Sequence, residues 1–176
     1  MELSSRKRNI AFWTLQLLGW GFINSISILV PHNLSWELTV FSVVVGIFIG
    51  VFSTSLLRWY LKKNVHFDSF GGKEVIKIIV STLLAALLFG LLNILFGYIY
   101  VEFGPELTEM EQRMFEGYDK IMIQVLNSLF LVGAWTITYL VIKLLLKLNQ
   151  NRIERWELNT TLNQAQLNTL KGQINP

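Results

Sequence analysis

The chain has 176 residues, of which 52% are hydrophobic, 13% aromatic and only 15% charged, against roughly 25% charged in an ordinary soluble domain. With a mean hydropathy of +0.46, this excludes a disordered chain and leaves too little polar surface to cover a water-soluble domain. No cysteine and only two histidines, His32 and His66, are present, which excludes a disulfide framework, a thiolate zinc site, a Cys nucleophile and a His-rich metal site.

A helix that crosses a bilayer needs about 20 apolar residues. Four uncharged stretches meet this: 10–30, 38–57, 78–101 and 121–142. The first follows Arg6-Lys7-Arg8. Its apolar stretch exceeds the roughly 7–15 residues of a signal-peptide core, and no small-x-small site precedes Pro31-His32-Asn33, so it reads as a retained first helix. The second carries Ser42, Gly46, Gly50 and Thr54, each four residues from the next. Small residues at that spacing make a groove that another backbone can approach closely. The groove serves either a dimer seam or packing within one bundle, and the second is favoured because four helices must first pack on each other. The third span has a weaker version in Thr82, Ala86 and Gly90.

Between the third and fourth spans lies the outer loop, Glu102 to Lys120. Gly104-Pro105 reads as a turn with proline at a first helical position. Glu106, Glu109 and Glu111 favour a helix start, Leu107, Met110 and Met114 repeat at helical spacing, and Gly117 can end it. A short amphipathic helix on the membrane surface is expected here, its acidic residues read as a solvated face or as a sensor for cations or basic peptides.

After the fourth span the chain becomes polar. Lys143 to Gln173 holds no proline and one glycine, Gly172, which predicts a helix of about 50 Å continuous with the fourth span. Leu158, Leu162 and Ala165 fit one heptad register and Leu167, Leu170 and Ile174 another, a stutter. A helix this polar needs a partner, so a parallel coiled coil across a homodimer axis is expected. The alternative is a frayed tail.

Orientation follows from Lys and Arg in the loops. One side holds 13 of the 15 basic residues with five acidic ones, for +8, and the other holds Arg113 and Lys120 with seven acidic residues, for −5. The N-terminus (1–9), the 58–77 loop and the tail (143–176) are therefore expected in the cytoplasm of a multi-pass plasma-membrane protein. Trp36, Tyr98, Tyr100 and Tyr118 at the outer boundary and Trp59 and Tyr60 at the inner one agree. The basic patches read as topology signals and contacts to anionic lipid, not as a nucleic-acid surface. Asn24, Asn93, Gln124 and Asn127 all lie within roughly 12 Å of the outer boundary. They line either a shallow outward-open sensing pocket or interhelical hydrogen bonds. The expected fold is all-α: a membrane four-helix bundle over 10–142 with a long cytoplasmic signalling helix.

The final residues, Ala165-Gln166-Leu167-Asn168-Thr169-Leu170-Lys171-Gly172-Gln173-Ile174-Asn175-Pro176, resemble the start of the dimerisation and phosphoacceptor region of LytS/YehU-type bacterial sensor histidine kinases. In that family an L-K-x-Q-I-N-P run leads into a His-Phe-Leu-Phe-Asn box whose histidine takes the phosphate from ATP. Leu170, Lys171, Gln173, Ile174, Asn175 and Pro176 match it, and Gly172 stands where alanine or another variable residue is common. The resemblance implies that the chain is part of a longer receptor in the bacterial inner membrane. The kinase core, with ATP and Mg2+, would lie beyond it, and the response regulator would be of the LytTR type. By itself the sequence shows no catalytic residue and no cofactor or metal site. The expected function is signal input and transmission in a two-component phosphorelay. The alternative is a small four-helix transport or channel component. Against that, no span holds an Asp, Glu, Lys or Arg, where ion and proton paths usually place one.

Overall fold

The computed structural model describes residues 5–29, 34–65, 71–115 and 118–174. Pro31-His32-Asn33, His66, Glu116, Gly117 and Asn175-Pro176 lie outside them. Among the described residues every regular element is a helix: α1 Ser5–Leu29, α2 Trp36–Asn64, α3 Gly72–Phe103, α4 Glu109–Phe115 and α5 Tyr118–Ile174. By contact the chain divides inside α5 into two units, Met1–Ala134 and Trp135–Pro176.

Local chemistry sets the ends. Ser35 caps α2, its side chain accepting from Leu38 N, with Glu37 in the first turn and Lys62 and Lys63 in the last, the charge order that a helix dipole favours. Lysines and an arginine after residue 57 do not end the helix as they end the apolar stretch, because long basic side chains have good helix propensity. Gly71 caps the start of α3, which closes with Gly104 N donating to Tyr100 O at 2.8 Å. Pro105, lacking an N–H, cannot extend it. Between Gly133 and Gly172 there is neither Gly nor Pro, so the fourth apolar stretch and the polar tail form one helix.

Among the described residues three helices are long and apolar enough to cross a membrane: α2, α3 and Ile121–Lys171 within α5. The sequence led us to expect four. α1 forms over nearly all of the first expected stretch, and its Gln16 and Asn24 side chains meet α2.

In the first unit α2 lies between α1 and α3. The α2–α3 pair is antiparallel: Phe41 packs on Tyr100 (4.5 Å), Phe48 on Phe96 (6.3 Å), and Lys77 Nζ donates to Asn64 O at 3.0 Å. Residue numbers climb on one helix as they fall on the other. Trp20 of α1 stacks on Phe89 of α3 at 5.4 Å, so three helices meet at one indole. Ala86 and Gly90, from the weaker small-residue series of α3, are buried. A Cβ on Gly90 would come within 3.1 Å of Ser128 Oγ in α5.

The second unit is the remainder of α5. Trp135 and Tyr139 stack at 5.4 Å with rings 4° from parallel, and Lys143 Nζ lies 6.0 Å from the Tyr139 ring. From Leu148 to Lys171 every described side chain is exposed. The Thr160, Thr161 and Thr169 hydroxyls donate back to carbonyls four residues earlier.

Candidate functional site

The small-residue series of α2 is covered by α1. A Cβ on Gly46 would overlap Asn24, and one on Gly50 would overlap the Trp20 ring. Thr54 Oγ1 accepts from Gln16 Nε2 and, at 3.3 Å, from Trp20 Nε1, while its own proton goes to Gly50 O at 2.5 Å. One donor and two lone pairs are all that a hydroxyl has, so Thr54 is saturated. One turn further the Arg58 guanidinium lies 3.4 Å from the centre of the Phe12 ring and donates to Asn9 Oδ1 at 3.4 Å. Phe12, Gln16, Trp20 and Asn24 thus step by four along α1 against Arg58, Thr54, Gly50 and Gly46 stepping by four along α2. Ser42, the first of the series, is exposed.

In a bilayer such a seam holds by close packing and hydrogen bonds, because lipid tails are as apolar as leucine and burial gains little. The sequence shows the α2 side through its glycines. The α1 side went unread because Phe, Gln, Trp and Asn share no chemistry, and only their spacing of four marks them.

The end of the α2–α3 pair next to α4 holds a second constellation. Glu111 of α4 is only 1% exposed, although it stands among the acidic residues between α3 and α5. Its Oε1 accepts from Ser35 N at 2.7 Å and its Oε2 from Thr108 N at 2.8 Å. In return Thr108 Oγ1 accepts from Glu111 N at 3.4 Å. Thr108 and Glu111 form a capping box, the T-x-x-E pattern at a helix start. The helix therefore begins at Glu109 and not at Pro105, because Thr108 offers a capping hydroxyl. Hydrogen bonds from the Ser35 side chain and N–H and from Thr108 N pull the Glu111 pKa down from 4.5 to about 2. Glu106 and Glu109 are exposed. At the other end of α4, Phe115 Cε1 would lie 3.3 Å from a Cβ on Gly97.

At the opposite end of the α2–α3 pair, Lys77 Nζ bridges Asn64 O and Glu74 Oε1, the latter at 2.7 Å. Glu74 is mostly buried. Gly71 O accepts from Glu74 N and Val75 N, completing the start of α3.

The residues named for a sensing pocket fall in different settings. Asn24 Nδ2 donates to Trp20 O at 2.8 Å and lies on the α1–α2 seam. Asn93 Nδ2 donates to Phe89 O at 2.8 Å within α3. Gln124 is partly exposed, its carbonyl accepting from Ser128 Oγ at 2.6 Å, and Asn127 is exposed. The coiled-coil residues Leu158, Leu162, Leu167 and Leu170 are on α5 and more than half exposed. Of the phosphoacceptor-like run, Leu170 and Lys171 are exposed on α5. Gln173 and Ile174 end its backbone, and Asn175 and Pro176 are outside the described residues. Among the described residues no group of three or more His, Cys, Asp or Glu is placed to hold a metal. Comparison with known protein families, with characterised proteins and with solved structures gives no match for this chain.

Proposed function

We propose that the chain is the membrane input and transmitter part of a dimeric two-component sensor histidine kinase. In this reading α1, α2, α3 and the first part of α5 form a four-helix membrane bundle with both termini in the cytoplasm. The stretch after Lys143 pairs with its copy as a parallel coiled coil, and the L-K-x-Q-I-N-P run leads into a phosphoacceptor region that a kinase core phosphorylates from ATP. A stimulus at the outer half shifts the balance between two packings of α5 in proportion to its differential affinity for them. A LytTR-type response regulator receives the phosphate.

The observation that carries the reading is the length of α5, one helix from Tyr118 to Ile174 that ends in the kinase-like run. An apolar span fused without a break to about 30 polar residues, with leucines exposed on them, is the form a transmitter helix requires. The test is disulfide scanning of single cysteines at 158, 162, 165, 167, 170 and 174 in liposomes, on a chain that has no native cysteine. The reading expects rapid cross-links between copies, in two registers joined by a stutter. Uniformly slow cross-linking at all six positions, or solute flux through the reconstituted chain, overturns it.

A further inference from the structure

α4 has seven residues. Isolated helices shorter than about 12–15 residues are marginal in water, so α4 owes its helicity to its attachments. Those attachments run through Glu111. One carboxylate oxygen caps its own helix at Thr108 N, and the other holds the N–H of Ser35, the residue that caps α2. Folding α4 and docking it therefore draw on the same carboxylate. Phe115 makes a further contact, against the bare backbone of Gly97. The remaining described face of α4, including Glu109, Met110, Gln112 and Arg113, is exposed.

We propose that α4 is a two-state lid over the outer ends of α2 and α3, docked and helical while Glu111 bridges Thr108 and Ser35, and unwound when that bridge breaks. Release returns the Ser35 N–H to solvent and frees Phe115 from Gly97. It also lengthens the link between α3 and α5. Seven residues rise about 1.5 Å each in a helix and about 3.3 Å each when extended, so the slack gained reaches roughly 12 Å. The lid rests on contacts within this chain and stands whether or not the chain is a receptor.

Amide hydrogen exchange on the full chain in nanodiscs tests it. Glu111→Gln keeps the size of the side chain but removes the charge and exchanges one acceptor for a donor. It is expected to speed exchange in both the 105–115 and the 34–38 segments, by on the order of tenfold, with exchange over 45–60 unchanged. Glu109→Gln, at an exposed position, is expected to change neither. A second pair avoids altering α4. Ser35 has φ −61°, which proline adopts without strain. Ser35→Ala loses the cap hydroxyl alone, whereas Ser35→Pro loses the hydroxyl and the N–H that Glu111 binds. Exchange in 105–115 is expected to rise in Ser35→Pro well beyond Ser35→Ala. Faster exchange confined to 105–115 in Glu111→Gln, no change in either segment, or equal exchange in the two Ser35 variants overturns the lid.

Discussion

Glu111 carries the sharpest electrostatic consequence of any single residue. Its carboxylate is held near pKa 2 in the fold against an ordinary 4.5. A depressed folded pKa means that the group stabilises the fold fully above the ordinary value. That contribution is lost as pH falls from about 4.5 through about 2. A carboxyl-carbon NMR titration of Glu111 in the intact chain is expected to show a midpoint well below the ordinary 4.5. A midpoint at the ordinary value would contradict the two hydrogen bonds. The T-x-x-E pattern at Thr108 and Glu111 is visible in the sequence. What the sequence does not show is that Ser35, 76 positions away, offers a second N–H to the same carboxylate. Glu106, Glu109 and Glu111 look alike in the sequence until the fold buries one. Thr54 gives the same lesson: a threonine at a small-residue position reads as packing, and only the arrival of Gln16 and Trp20 makes it a hydrogen-bond centre.

For the helices, spacing carried most of the information. Apolar runs located α2, α3 and the first part of α5 to within a few residues at the ends nearest α4. Their other ends, beside the basic residues, ran on, since charge ends an apolar run without ending a helix. The glycine series predicted a close helix contact and α1 occupies it, with large side chains laid on small ones. Gly50→Ala should therefore force the Trp20 ring to move, at a cost of about 1–3 kcal/mol from overpacking. Gly21→Ala, where a Cβ meets nothing within 4 Å, should be neutral or gain up to about 1 kcal/mol from helix propensity. Reversible unfolding in bicelles measures both. Equal stabilities for the two variants would mean that α1 does not sit on the Gly46–Gly50 groove. The outer polar residues Asn24 and Asn93 were legible as membrane asparagines but not by destination, because an asparagine in an apolar helix can bond to its own backbone or across a seam with no difference in sequence.

For the whole molecule, the alternation of charge along the chain and the apolar helices support a membrane setting. The small-residue seam and the clamped α4 supply fixed contacts within the first unit, and over Leu148 to Lys171 the second unit exposes every described side chain, its leucines included. The proposed signalling role requires that this helix stay ordered once it leaves the apolar stretch, because a transmitter that melts passes on no rearrangement. The most direct measurement uses spin labels at Val141 and Leu167, both exposed on α5, in full-length chains diluted with unlabelled ones in liposomes. A continuous helix places the two backbone sites about 39 Å apart, and a single narrow distance distribution near that value is expected. A broad distribution centred well below it would show that the stretch beyond Lys147 is not a rod, and the coupling proposed here would have no physical carrier.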